Sequence, residues 1–265
     1  MPADSRPLAV VTGASTGIGY ELALQCARNG FDLVVAADEE KIRSSAGDFQ
    51  AAGARIAEAI VADLSTTDGN DQLLAVARGL GRPIAALLAN AGGGLGHAFL
   101  DQDWARVRRT IDTNVTGTTY LLWQVGRAMR AQLAGPILIT GSIAGFMPGT
   151  FQAVYNATKA YLNSLAFALR EELRDTDITV TLLEPGATET AFFERAGMLD
   201  TPVGQAEKDD PRMVNEAGFA AMMKGSSDVT TGLKNKLLAA VANVTPNELL
   251  ARVHRRMAEP KDQPR

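Results

Sequence analysis

Tyr155-Asn156-Ala157-Thr158-Lys159 sets a phenol and an ammonium four residues apart, and Ser142 stands thirteen positions before the phenol. On a helix, side chains at i and i+4 lie one above the other on a single face. An amine beside a phenol favours phenolate and lowers a pKa that is ordinarily about 10. A tyrosine tuned in this way exchanges a proton with an alcohol or a ketone near neutral pH. The Ser142 hydroxyl, just past the apolar run 136–140, could hold the same substrate oxygen. A half-buried Tyr beside a solvated Lys is the structural alternative for such a pair, and the rest of the chain has to decide between them.

The elements that must position these groups alternate. Residues 8–11 are a short apolar run that reads as a buried strand, and Gly13-Ala-Ser15-Thr16-Gly17-Ile18-Gly19 follows it. Helical periodicity then runs from Tyr20 to Asn29, with Gly30 as a stop. Between strand and helix, glycines let the backbone approach a pyrophosphate, and the helix N-terminus offers free N–H groups. Further strands are expected at 31–37, within 53–61, at 84–89, 136–140 and 178–183, with a short seventh at 229–232. Helices are expected to about Arg78, across 101–132, from the Tyr155 segment to about Asp175, and over 211–224. Residues 233–257 read as one or two more, with Pro246 between them, and 258–265 as a frayed tail. Asp63 or Ser65 is the expected cap of the third helix. Asp112-Thr-Asn114-Val-Thr-Gly117 interrupts the 101–132 stretch with poor helix formers, where a polar Asn suits a structural bond.

At the strand ends the chemistry collects. Asp38, about 20 residues past the last motif glycine, is placed to accept from the ribose hydroxyls of an adenosine; otherwise Asp38, Glu39 and Glu40 simply open the next helix. A carboxylate there repels a 2′-phosphate, and no Arg or Lys stands at positions 16, 37 or 38, so NAD is favoured over NADP. Asp63 could bond an adenine amino group, and the small residues of Asn90-Ala91-Gly92-Gly93-Gly94 let a flat ring lie against the chain. Pro185-Gly186 follows the sixth strand. Phe146, Met147, Phe192, Phe193, Met198 and the Met-bearing helix from Pro211 suit either an apolar substrate or ordinary core and dimer packing.

Bulk properties narrow the class. The chain has 265 residues, 46% hydrophobic and 21% charged, which suits a globular protein with a sizeable core. A net charge of −4 gives no footprint for nucleic acid. One cysteine, Cys26, excludes an internal disulfide, and two histidines make a metal site an unpromising expectation. Residues 1–7 lack the apolar core of a secretory signal and no run is long enough to span a bilayer, so a cytoplasmic location is expected.

Continuous apolar strands alternating with helices predict an α/β fold: a doubly wound parallel sheet, one Rossmann-type domain over residues 1–265. Ligands of such sheets bind beyond the carboxyl ends of the strands, where Gly13, Asp38, Asp63, Asn90, Ser142 and Pro185-Gly186 all lie. Within that domain, 1–190 is the expected dinucleotide-binding and catalytic core, 191–227 a substrate-binding loop and helix, and 228–265 the C-terminal strand, helices and tail.

Thr12-Gly-Ala-Ser-Thr-Gly-Ile-Gly19, Asp63-Leu64, Asn90-Ala91-Gly92, Asn114, Ser142, Tyr155-Asn-Ala-Thr-Lys159 and Pro185-Gly-Ala-Thr188-Glu-Thr190 together resemble the short-chain dehydrogenase/reductases, in their shorter single-domain branch. The resemblance spans residues 8 to about 190. It implies hydride transfer between NAD or NADP and a secondary alcohol or ketone. Tyr155 would be the general acid/base, Ser142 would orient the substrate oxygen, and Lys159 would bond the nicotinamide ribose and lower the phenol pKa. Asn114 would hold a water that relays the proton, replacing the structural reading above, and Thr188 and Thr190 would bond the carboxamide or pyrophosphate. It also implies a homodimer or homotetramer built through helices at 101–132 and 153–175. One departure stands out: many relatives that use NAD carry Asp one place earlier, at Ala37, and many that use NADP carry Arg at the position of Asp38, so the chain fits neither pattern. A non-catalytic dinucleotide-binding sensor or scaffold is the alternative on the same fold.

Overall fold

The computed structural model describes residues 6–261 apart from 133 and 243. The strands are β1 (Leu8–Thr12), β2 (Asp32–Ala37), β3 (Ala57–Val61), β4 (Ile84–Ala89), β5 (Ala134–Thr140), β6 (Asp177–Glu184) and β7 (Asp228–Thr230). They form one sheet in the order β3-β2-β1-β4-β5-β6-β7, every pairing parallel. The longer helices are α1 (Gly17–Arg28), α2 (Lys41–Ala51), α3 (Thr67–Gly79), α4 (Trp104–Ile111), α5 (Thr118–Gln132) and α6 (Ala153–Glu172). After β6 come two single turns, α7 (Phe192–Arg195) and α8 (Pro202–Gln205), which have no periodicity to announce them, then α9 (Pro211–Met223), α10 (Leu233–Ala242) and α11 (Asn247–Ala258).

Because side chains alternate along a strand, each strand feeds both faces of the sheet. Leu8, Val10, Val34 and Leu87 point to the side where Leu73, Leu121, Val125 and Leu162 close a core from α3, α5 and α6. Ala9, Val11, Val35 and Leu88 point to the other, under Leu22, Ile42, Phe49, Val214 and Met222 of α1, α2 and α9. That is the doubly wound parallel sheet expected from the sequence. It leaves the strand ends at Thr12, Ala37, Val61, Ala89, Thr140 and Glu184 on one rim.

Several local expectations are corrected. Thr66, not Asp63 or Ser65, caps α3, its hydroxyl accepting from Gly69 N at 3.0 Å. Asp63 is already engaged by the Ser65 N–H and hydroxyl, at 3.0 and 2.6 Å. The segment Asp112–Gly117 does not interrupt the helix: it continues α4 into α5 as a π-helical turn, the local widening that proteins often place at working sites. The Met-bearing α9 packs on α1 with Phe219 and Met222 buried in the core, and contributes nothing to the cavity wall; packing is its role. Residues 258–261 do not fray. Ala258 and Pro260 are buried and Lys261 reaches the Gln205 side chain. The last four residues of that expected tail lie outside the described residues.

Candidate active site

One cavity of about 880 Å³ runs along the rim of strand ends. At one end is the turn between β1 and α1. Gly13 has φ +66°, and a Cβ on Gly19 would lie 2.2 Å from the Gly13 carbonyl oxygen and 2.5 Å from Asn90 Nδ2, so only glycine lets this turn close. Thr16 sits at the N-cap without a side-chain bond to the first turn of α1, and no acidic residue occupies that turn. Its N–H groups therefore face the cavity uncapped, with the positive end of the helix dipole behind them. Asn90 fastens the turn: its N–H meets the Thr12 hydroxyl at 2.9 Å and its amide donates to Thr12 O at 3.1 Å. Ala91 N reaches the same hydroxyl at 3.0 Å. This cradle of backbone N–H groups fits the pyrophosphate of a dinucleotide, and a side chain at Gly13 or Gly19 would force the turn that shapes it apart.

The end past β2 and β3 differs from what the sequence suggests. Asp38 is not free: Arg109, carried by α4, donates to it at 2.8 Å and to Asp63 at 3.2 Å. Glu39 accepts from the Ser15 hydroxyl and pairs with Arg195 of α7 at 2.9 Å. The Ser15 bond, followed by burial acting the other way and then Arg195, holds Glu39 below the usual carboxylate range. Asp63 also lies below that range: partial burial would raise it, but the Ser65 hydroxyl and N–H and then Arg109 prevail. The absence of Arg or Lys at positions 16, 37 and 38 thus does not leave this end purely acidic. The guanidinium comes from a helix 71 residues later in the chain, and no local pattern signals it.

At the other end Ser142, Tyr155 and Lys159 converge on the cavity wall. Lys159 is buried and donates to the Thr140 carbonyl at 2.7 Å, with its amine 5.9 Å from the centre of the Tyr155 ring. Ser142 accepts from Ala144 N at 3.1 Å and donates to Pro185 O at 3.3 Å. The expected lowering of the phenol pKa is not produced by the chain itself. Burial pushes Tyr155 up to about 12, with the Ser142 hydroxyl opposing, and pushes Lys159 down to about 8. Both shifts have one cause, since a low-dielectric wall disfavours phenolate and ammonium alike.

Asn114, in the π-helical turn, has both amide hydrogens engaged. Its amide donates to Gly93 O and Thr158 Oγ1, both at 2.9 Å, while its oxygen accepts from Gly93 N at 2.9 Å. The side chain clamps the β4 loop to α6 and has no N–H left for a water; only the second lone pair of its oxygen remains. Thr188 and Thr190 both line the cavity. Thr188 donates to Gly186 O and Thr190 packs against Gly17. The loop carrying them is pinned by Asp209, whose N–H reaches Ala187 O at 2.8 Å and whose carboxylate accepts from Asn235 at 2.8 Å. Ile18, Leu64, Ala91, Gly92, Pro185 and Gly186 also line the cavity, so most of the expected cofactor contacts share one surface; Gly19 stands behind it, closing the turn.

Beside the phenol the wall is apolar. The Phe192 ring lies 5.0 Å from that of Tyr155 and 5.3 Å from that of Phe193, and Met147, Val203, Leu238 and Met257 extend this surface. Phe146 and Met198 pack behind it and do not reach the cavity. Leu238, His254 and Met257 come from helices whose amphipathic pattern marks them only as packed residues.

Glu184 ends β6 directly before Pro185 and is buried. Burial pushes its carboxyl up to about 7, against the Thr230 hydroxyl that donates to it at 2.8 Å, with Asp228 adding to the rise. As pH climbs from the ordinary carboxylate value through about 7, the unfolded chain releases this proton first, so this group's contribution to stability is lost over that window. Glu184→Gln should remove the loss. Its melting temperature is expected to exceed the parent's by a few degrees at pH 8 and to match it within about one degree at pH 5; equal offsets at both pH values would refute the assignment.

Residues 7–198 match the family model described as short chain dehydrogenase. An uncharacterised oxidoreductase of Staphylococcus saprophyticus is 31% identical over 83% of this chain and 92% of its own. A short-chain dehydrogenase from Sphingobium yanoikuyae, solved in complex with NADPH, superposes with a TM-score of 0.78 at 28% identity, covering 90% of this chain and 94% of that one. The bulky-bulky ketone specific alcohol dehydrogenase from Comamonas testosteroni gives a TM-score of 0.74 at 27% identity over 90% and 93% of the two chains.

Proposed function

The chain belongs to the short-chain dehydrogenase family and is an NAD(P)-dependent oxidoreductase; on that premise we propose that it moves a hydride between nicotinamide and a secondary alcohol or ketone with an apolar body. The observation that carries this reading is the convergence of Ser142, Tyr155 and Lys159 on the cavity that also contains the Gly13–Gly19 cradle. A bound dinucleotide supplies or accepts the hydride. The residues do the rest. The Ser142 hydroxyl holds the substrate oxygen, and the Tyr155 hydroxyl gives that oxygen a proton in reduction and takes it back in oxidation. Lys159 sets a positive charge beneath the phenol and toward the nicotinamide ribose. Gly13, Ser15, Thr16, Gly17 and Ile18 surround the pyrophosphate, with Gly19 letting the turn close. Asn90, Ala91 and Gly92 flank the nicotinamide ribose, and Pro185, Gly186, Thr188 and Thr190 take the carboxamide side. Asn114 keeps Gly93 and Thr158 in register. A module that only bound a dinucleotide would have no use for the Ser142–Tyr155–Lys159 cluster.

The substrate class rests on Phe192, which packs against the phenol ring, and on Phe193, Met147 and Leu238 in the wall of the same cavity. The bulky-bulky ketone named for the Comamonas enzyme supports a bulky partner here. The test is a panel of ketones graded from small and polar to large and apolar, followed by nicotinamide absorbance. Rates should rise with apolar size, and a preference for the small polar members would refute the assignment.

Coenzyme choice turns on Arg109 as much as on Asp38. The guanidinium that bridges Asp38 and Asp63 lines the cavity, so a 2′-phosphate would meet a cation as well as a carboxylate. Arg109→Gln is expected to weaken NADPH binding about tenfold and to leave NADH within about twofold. Equal effects on both dinucleotides would remove Arg109 as the reader of the phosphate and restore the preference for NAD that Asp38 alone suggests.

Self-association as a homodimer or homotetramer is proposed through α4, α5 and α6, where Trp104, Trp123, Tyr161 and Phe167 are exposed. Among the described residues no helix is long and apolar enough to cross a membrane, and a cytoplasmic setting is proposed.

A further inference from the structure

α10 and α11 each carry a face that the fold does not use. On α10, Ala239 and Ala242 are buried and Asn235 turns inward to Asp209. The opposite face carries Leu233, Leu237 and Val241 at four-residue spacing, 86%, 68% and 46% exposed. Such residues stack as one stripe, and by helical periodicity Lys234 and Lys236 flank it on its two sides. On α11, Leu250, His254 and Ala258 are buried, while Leu249 and Val253 stand outside beside Arg252 and Arg256. Val244, in the connection between the helices, is 84% exposed. Leaving apolar side chains in water on two adjoining helices forgoes roughly 25 cal/mol per Å², so this surface has an occupant to gain.

Charge selects the occupant. Residues 233–261 hold Lys234, Lys236, Arg252, Arg255, Arg256 and Lys261 against Glu248 and Glu259, in a chain of net charge −4. Arg255 is paired with Glu259, but Lys234, Lys236, Arg252 and Arg256 are exposed and pair with no described carboxylate. A second copy docked on this face by two-fold symmetry would set like charges against one another. Aliphatic stripes edged by unpaired cations, on helices too short to span a bilayer, match an anionic lipid surface. The same helices also wall the cavity: Leu233, Lys234 and Leu238 from α10 and Arg256 and Met257 from α11 line it, so the exposed stripe reaches the cavity at Leu233.

We propose that α10 and α11 dock this protein on the surface of an anionic lipid bilayer. Leu237, Val241 and Val253 enter the headgroup boundary, Lys236 and Arg252 rest on the headgroups, and the cavity opens toward the lipid. Delivery of an apolar substrate from the bilayer would follow, and only that consequence rests on the proposed reaction; docking does not.

The test is co-sedimentation of the full chain with vesicles of phosphatidylglycerol and, separately, of phosphatidylcholine. Binding is expected to the former and at least about tenfold less to the latter. Leu237→Asp with Val241→Asp, and separately Lys236→Glu with Arg252→Glu, should each cut the bound fraction about tenfold, with unchanged melting and unchanged NADPH fluorescence. No binding to phosphatidylglycerol, or undiminished binding by both variants, would overturn the proposal. So would a fall in the light-scattering mass of the Leu237→Asp, Val241→Asp protein without vesicles, which would give this face to a second copy. Failure to bind NADPH would count against the proposed function and leave the docking result standing.

Discussion

Tyr155→Phe is expected to lower turnover of a ketone that the parent reduces by about a thousandfold or more, while dinucleotide affinity stays within about twofold. The ring keeps its place: its packing against Phe192 at 5.0 Å belongs to the aromatic carbons. Only the hydroxyl beside Ser142 is lost, and with it the group proposed to pass a proton to the substrate oxygen. General acid catalysis by one positioned group contributes 10²–10⁴-fold, and loss of the proposed proton donor is expected at the upper end. The pH dependence carries the sign. With burial holding the phenol at about 12, the acid form needed for reduction persists across neutral pH, so Tyr155 itself imposes no step on reduction from pH 6 to 8, and the fall toward pH 8 comes from Lys159. Oxidation needs the phenolate and should rise with pH over the same range. Steady-state rates in both directions check this, and a variant that keeps a tenth or more of the parent's turnover would remove Tyr155 from the mechanism.

Lys159→Met is expected to cost about a hundredfold in kcat/KM and, unlike the loss of the phenol, to weaken dinucleotide binding as well. The amine is buried, donates to Thr140 O and stands near the Tyr155 ring and Gly92. A charge held there serves both the phenol and any ribose hydroxyl that enters. Burial lowers its pKa to about 8, so the parent should lose reducing activity as pH rises through that value, and the residual activity of the variant should lack the step. The stability sign is opposite to that of Glu184. Between about 8 and the ordinary lysine value the unfolded chain holds a proton that the folded chain has released, so stability rises with pH there. The Met variant should lack that rise and melt no lower than the parent at pH 7. A variant with normal coenzyme affinity and an unchanged pH profile would reduce Lys159 to packing.

What could be read from the chain beforehand was set by how local the signal is. β4 is bounded by Pro83 and Asn90 and filled by six apolar or small residues, so its limits follow from composition. The glycine turn announces itself because strand, turn and helix are contiguous. Ser142, Tyr155 and Lys159 were legible because a strand end and one helix face carry them. The adenosine end was not legible: Arg109 and Arg195 arrive from α4 and α7, and no spacing relates them to Asp38 and Glu39. The Tyr155 pKa escapes a local reading for a related reason, since an i+4 amine says what charge is near but not how little water remains. α9 shows the limit of composition, because Met213, Met222 and Met223 on one helix fit a substrate cover or a core equally well, and only its packing on α1 decides.

Titration of the purified chain with NADPH and with NADH, followed by nicotinamide fluorescence, tests most directly that the rim of strand ends is one dinucleotide site beside Tyr155. Saturable binding of one reduced dinucleotide per chain is expected, with the signal discharged mole for mole when an apolar ketone is added. Failure of both dinucleotides to bind would contradict the assignment of the cavity itself, and with it the roles given to Ser142, Tyr155 and Lys159.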